Sequence, residues 1–365
     1  MITNAMITNA LTVAQKLLVA GRKEVLAVGL MVLSTLGMIH PANAQEVTYI
    51  IFDPPGSTVT RPTSINAQGA ITGTSNAQNS PGFLRAPDGS FTTFDAPGAA
   101  FTFPASINRV GAIAGSYTDA NFVAHGFLRS PDGTITTFDP PGSKGDPFGP
   151  GSGAAAMNDA EEITGSYQSN TTIHGFLRSP HGTFTTFDPP GSVGTFPASI
   201  NAEGAITGAY SDGQNIHGFL RARHGTITTF DVPGPTSNPN PIGINQAGEI
   251  AGSYLDPQGN YSHGFLRARD GTFTTFDVPA AAQTVPTGIN SKGEITGSYD
   301  DAQYVTHGFL RAPDGTVTTF DPPGYTDTGS SGINSAGTIF GVTGSGHGFI
   351  RIEDKREEGE QGDKN

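Results

Sequence analysis

Five histidine–aspartate pairs at one spacing, with a sixth divided between the two ends of the chain, are the first residues in this sequence that could do chemistry. His125 precedes Asp139 by fourteen positions, and the same interval separates His174 from Asp188, His217 from Asp231, His263 from Asp277 and His307 from Asp321. His347 stands at the equivalent point of a last copy whose aspartate, Asp53, lies near the other end of the chain. An imidazole oriented by a carboxylate is half of a nucleophile-activating arrangement, and with further donors it is half of a metal site. Repetition argues against both. Catalysis needs one asymmetric constellation, and a metal needs three or four converging ligands where two paired strands supply two. The pairs are read as structural contacts.

The elements that position them repeat as well. Gly-Phe-Leu/Ile-Arg occurs at Gly82, Gly126, Gly175, Gly218, Gly264, Gly308 and Gly348, and Phe-Asp at Phe52, Phe94, Phe138, Phe187, Phe230, Phe276 and Phe320. A third element, Ile-Asn or Met-Asn before a turn, begins at Ile65, Ile107, Met157, Ile200, Ile244, Ile289 and Ile333. A period of 40 to 49 residues decides the architecture before any local reading does. Within the unit 107–139, Asn108-Arg109-Val110-Gly111 reads as a type I turn with glycine left-handed. Ala112–Tyr117, His125–Ser130 and Thr134–Asp139 read as strands, the last two joined by Ser130-Pro131-Asp132-Gly133 as a hairpin loop. Counting back from that loop sets Arg129 opposite Ile135, Phe127 opposite Thr137, Gly126 opposite Phe138 and His125 opposite Asp139. The seven arginines after Phe-Leu/Ile (Arg85, Arg129, Arg178, Arg221, Arg267, Arg311 and Arg351) are read as structural donors to neighbouring carbonyls or carboxylates.

Four short antiparallel strands per ~44 residues make a propeller blade. The expected fold is all-β, a seven-bladed β-propeller of four-stranded antiparallel blades. The seventh unit stops after Gly348-Phe349-Ile350-Arg351, without a fourth strand, while Val47–Asp53 supplies one at the start. Closure by the N-terminal strand would remove two exposed sheet edges. This pattern resembles the bacterial extracellular repeat family named for a His-Ala-Phe signature, over about residues 47 to 351, with Gly in place of the central Ala. The resemblance implies export and a repeat β fold, and implies no activity or ligand.

Residues 1–44 stand outside the repeats. Lys16, Arg22 and Lys23 precede an apolar run from Val25 to Ile39 and a small-x-small site at Ala42-Asn43-Ala44, the order of a cleaved signal peptide. The expected location is secreted or periplasmic, with no membrane insertion once the leader is removed. The domain plan is a leader over 1–44, the propeller over 45–352, and a disordered charged tail over 353–365. The formal net charge is −13, and removing the leader takes three basic residues and one acidic residue, moving it further negative. That balance excludes nucleic acid as a partner. Cysteine is absent, so stability must come from packing and strand pairing, and the chain is expected to be a monomer.

Function is sought where the units differ. The connection before each third strand varies from three to eight residues, and the one after Phe-Asp is eleven or twelve residues in six units and seventeen in the unit starting at Pro140. In an up-and-down blade these two connections share a face, and variable loops on one face mark an interaction surface. The candidate binding residues there are Lys144, Asp146 and Phe148 in the long loop, with Asp119, Asp256 and Asp300 in shorter ones. Asp212 and Asp301 join them as conceivable calcium ligands, although none lies in an Asp-x-Asp-x-Asp-Gly run. No other cofactor is expected. The reading is an exported non-enzymatic binding or scaffold protein, its partner a protein or small ligand, with the other face inert. One alternative is a propeller lyase or hydrolase with a site at the mouth of the central channel. Another is a carbohydrate-binding module, to which the lack of tryptophan is unfavourable.

Overall fold

A computed structural model describes residues 46–77, 81–144, 152–234, 238–256 and 258–354. The leader, the long-loop residues Asp146 and Phe148, and the tail beyond Asp354 lie outside the described residues. The compact unit Val47–Glu353 is all-β, and among the described residues no helix forms. Its strands make five four-stranded sheets and one of eight, the latter being two successive repeats bridged by a single parallel pair, Ile173 with Gly194.

The second repeat shows how residues dictate the strands. They run Ala99–Ile107, Ile113–Asp119, Ala124–Arg129 and Ile135–Phe138, innermost to outermost and antiparallel throughout. Gly111 (φ 88°) donates its amide to the Asn108 carbonyl at 3.0 Å, closing the first turn. In the outer hairpin Gly126 faces Phe138, Phe127 faces Thr137 and Arg129 faces Ile135. Gly126 has to lack a side chain, because a Cβ there would run into the Phe138 ring. Each innermost strand also carries an irregularity in register, at Pro62, Pro104, Pro197, Pro241 and Pro286 among others. Proline has no N–H to give to a ladder, so it is tolerated at a bulge in an edge strand.

Between sheets the contacts are aromatic. Phe83, Phe127, Phe176, Phe219, Phe265, Phe309 and Phe349 are fully buried, several of them edge-to-face against the Phe of the preceding Phe-Asp. Arg85, Arg129, Arg178, Arg267 and Arg311 donate to neighbouring carbonyls, as the sequence reading has it, and all the arginines make a further contact that the reading did not include. Each guanidinium lies over the ring of that same preceding phenylalanine, from Arg85 over Phe52 to Arg351 over Phe320, at 4.9–5.2 Å. Contacts to the following carbonyl are long, 3.3–3.5 Å, and only Arg351 meets a carboxylate, Glu353. The reason is placement: this position points across the gap between sheets, where the ring face is the available acceptor. A desolvated cation–π contact contributes ~2 kcal/mol.

The innermost strands converge. Concavities of about 250 and 220 Å³ are walled by Ile65 of the first repeat and Ile244, Ile289 and Ile333 of the last three. At the turn end, each repeat's asparagine accepts its own turn amide, and all but Asn108 donate Nδ2 to the next repeat's asparagine carbonyl. Asn66 reaches Asn108 at 3.1 Å, Asn158 reaches Asn201 at 3.2 Å, and Asn334 reaches back to Asn66 at 3.0 Å. The chain of amides runs on through Asn201, Asn245 and Asn290. It is interrupted between Asn108, whose Nδ2 has no partner, and Asn158. There the Arg109 amide donates to Asp159 Oδ1 at 2.8 Å instead. The strand Glu46–Phe52 lies beside Gly348–Asp354 as the outer member of the last sheet, with Tyr49 packed against the cluster of Phe320, Ile339 and Phe349.

Candidate functional site

The molecule has two unlike faces. Both fixed turns, after the innermost strand and before the outermost, open onto one side, where a concavity of about 480 Å³ is walled by Asn201, Gln246, Arg223 and Arg269 from both kinds. The variable connections open onto the other.

The His–Asp pairs lie towards the variable side. Nδ1 to carboxylate distances are 2.9 Å for His125–Asp139, 2.7 Å for His174–Asp188, 2.8 Å for His217–Asp231, 3.0 Å for His263–Asp277, 2.8 Å for His307–Asp321 and 2.6 Å for His347–Asp53. Each imidazole also packs on an aromatic ring, as His125 does on Tyr117 at 5.1 Å. The aspartates are bridges: Asp53 and Asp188 also accept from Thr60 and Thr195 of the following innermost strand, at 2.5 and 2.6 Å. Asp95, whose repeat has Pro81 in place of histidine, keeps that role by accepting from Thr102. A second carboxylate flanks three of the rings, Asp119 at His125, Asp212 at His217 and Asp301 at His307, at 3.4–3.9 Å. Burial alone would lower the His217 and His307 pKa values, but hydrogen bonds and charge from two aspartates outweigh it, and both are raised. The Asn215 and Gln214 amides hold Asp212 down to about 2.

The loop aspartates are occupied by their own loops. Asp119 Oδ1 accepts the Asn121 and Val123 amides at 2.8 and 2.9 Å, and Asp301 does the same for Gln303 and Val305. Asp256 accepts the Asn260 amide at 2.7 Å, and Asp300 accepts from Gln283 and Thr306. Lys144 donates to Asn170 Oδ1 at 2.6 Å. These residues are spread over several repeats. Among the described residues no three His, Asp or Glu groups converge as a metal site.

Charge-based reading overlooked the apolar residues. Among the described residues, the exposed large apolar side chains include Phe101, Phe103, Phe122, Val193, Phe196, Tyr261 and Tyr304, all in variable connections or the adjoining ends of innermost strands. The fixed turns expose Val110. Phe101 and Phe103 stack at 6.3 Å, and the Tyr261 and Tyr304 hydroxyls meet at 3.2 Å. Phe122 and Tyr304 each have φ 61°, in a turn whose counterpart in the fifth repeat uses Gly259 at 73°. All three donate their amide to the carbonyl of the loop aspartate three residues back. An L-residue held there costs ~1–2 kcal/mol, and such strain concentrates where a side chain must be presented.

Among solved structures, the chain is similar to a catalytically inactive virginiamycin B lyase from Staphylococcus aureus with quinupristin. The identity is 15%, the TM-score 0.60, and the match covers 85% of this chain and 100% of that one. It is similar also to a streptogramin B lyase, at 15% identity and TM-score 0.59 over 84% of this chain and 98% of that one. YCF48 bound to D1 peptide matches at 9% identity and TM-score 0.54, over 86% and 98%. At such identities the likeness defines a propeller-like all-β fold. No family model matches the chain, and no curated protein does.

Proposed function

We propose that the protein is a seven-bladed β-propeller, closed by its N-terminal strand, which acts as a non-enzymatic binding module through its variable-loop face. Closure is supported by the Asn334-to-Asn66 bond, by Arg85 over Phe52 and by the His347–Asp53 pair. The binding role rests on one observation: two exposed aromatics, Phe122 and Tyr304, occupy left-handed turn positions that favour glycine. An aromatic side chain costs stability there and gains contact area at low conformational entropy. The leader read from the sequence and the resemblance to the His-Ala-Phe repeat family support a secreted or periplasmic monomer.

The test uses Phe122→Gly and Tyr304→Gly as baits against an envelope fraction of the source cells, with Val110→Gly as the opposite-face control. Both glycine variants should melt at or above the wild-type temperature while losing the partner that wild type and Val110→Gly retain. A partner lost only with Val110→Gly would overturn the assignment.

The alternative, a lyase or hydrolase at the channel mouth, draws on the fold likeness. A site there would have to use the non-repeated ends of the innermost strands, where Arg61, Phe103, Phe196, Asn240 and Val285 stand.

A further inference from the structure

The repeats are their own control at the hairpin before each outermost strand. The residue that opens this turn is Pro87, Pro131, Pro180 and Pro313 in four repeats, but Arg223 and Arg269 in the fourth and fifth. Next along, four repeats have an aspartate, Asp88, Asp132, Asp270 and Asp314, where the third has His181 behind its proline and the fourth has His224. The fourth turn therefore lacks a carboxylate and gains a guanidinium, and the turn beside it gains another. Both changes fall on neighbouring repeats and line one concavity of about 480 Å³, the largest among those described, with Glu203 as its acid.

The two side chains are seated. A Cβ built on Gly204 would lie 3.6 Å from the Arg223 Cγ and 3.1 Å from Glu162 Oε2, a second acid beside the concavity, and one on Gly248 would lie 3.6 Å from the Arg269 Cγ. In the sixth repeat the Pro313 ring takes this place over Gly293. Each arginine stem thus lies over its own sheet's turn glycine, so the guanidinium needs less ordering when it meets a ligand. Among the described residues neither Arg223 nor Arg269 has a carboxylate partner, in a chain of net charge −13. Leu220, Ile244, Ala205 and Ala247 give the concavity an apolar lining.

We propose that this concavity on the fixed-turn face binds a small organic dianion, a dicarboxylate or a phosphate monoester. Arg223 and Arg269 pair with its charges and the lining takes its apolar part. Planar guanidinium forks match carboxylate and phosphate oxygens alike. The site lies on the face opposite the proposed partner surface and stands or falls independently of it.

The probes are phthalate, phenyl phosphate and inorganic phosphate, titrated by calorimetry and by the His224 proton resonances. Phthalate or phenyl phosphate should bind saturably and more tightly than inorganic phosphate, with affinity falling as salt rises. Which of the two binds more tightly identifies the anion source. Arg223→Pro and Arg269→Pro restore the residue that four other repeats carry, so folding is retained, to be checked by an unchanged melting temperature. Each should weaken binding by at least about tenfold, and the double variant should abolish it. No saturable binding by wild type, or affinity unchanged in the double variant, would overturn the site.

Discussion

Five positions apart on the same seven innermost strands, the molecule follows two different rules. At the fixed-turn end every repeat has asparagine, from Asn66 to Asn334; at the variable end the equivalent residues are Arg61, Phe103, Gly153, Phe196, Asn240, Val285 and Gly329. Backbone geometry is shared, so the difference lies in what the side chain must do. Each asparagine satisfies a turn amide in its own repeat and most also satisfy a carbonyl in the next. Few other side chains offer an acceptor and two donors at that reach. At the other end, among the described residues, no backbone group is hydrogen-bonded by these side chains, and the residue is free to be chosen for what it meets. Uniformity marks where the fold is held together, and variety marks where it is not.

The largest effect should come from the one strand that repetition does not place beside its own unit. Deleting 46–53 removes Phe52 from under Arg85, Asp53 from His347, and Tyr49 from its packing. Size-exclusion and thermal melting should show loss of the cooperative fold and aggregation through the bared Gly348–Asp354 edge. A monomer with wild-type melting would break the case for closure. Next, Gly126→Ala should destabilise by ~1–3 kcal/mol through overpacking against Phe138. Gly153→Ala, at the variable end where a Cβ meets only Ser116 at 3.7 Å, should be near neutral, and urea denaturation compares the two. Asn201→Ala, which leaves the Ala205 amide without its acceptor and the Asn245 carbonyl with the Gly248 amide alone, should cost ~1–3 kcal/mol. Asn240→Ala should stay within about 0.5 kcal/mol, and equal losses would erase the distinction between the two ends.

The smallest effect is in pH. The His217 and His307 pKa values are raised in the fold, so the stabilisation is complete below the unfolded value near 6.5 and fades as pH rises through the folded values. Melting temperature should fall slightly over that interval. Asp212→Asn should bring the His217 titration, followed by NMR, back towards the unfolded value while leaving His307 in place. An unmoved His217 would show that Asp212 plays no part in the shift.

The strand register could be read because one turn fixes it. Once Ser130-Pro131-Asp132-Gly133 is a hairpin loop, Gly126 must face Phe138, and bulk opposite a missing side chain is self-consistent. Contacts between sheets were not legible. Arg129 over Phe94 depends on how one sheet is rotated against the next, and residue alternation along a strand carries no record of that angle. The exposed aromatics escaped notice for a related reason. A left-handed turn announces itself through glycine, and Asp119-Ala120-Asn121-Phe122 has none. Its loop aspartate was legible as a polar candidate, whereas in the structure it staples the turn that holds up the phenylalanine.

The neighbourhood of Phe52 and Phe349 also sets an order of events in time. His347 and Asp53 are separated by 294 positions, and joining the ends of a chain that long costs ~5 kcal/mol in loop-closure entropy. During synthesis, repeats one to six can pair their own strands as each emerges, since those contacts are local. The first strand made has to wait for the last. Refolding should therefore show early sheet formation and a slower final step that brings the Tyr49 ring into the last sheet, and joining the termini covalently by circular permutation should remove that delay.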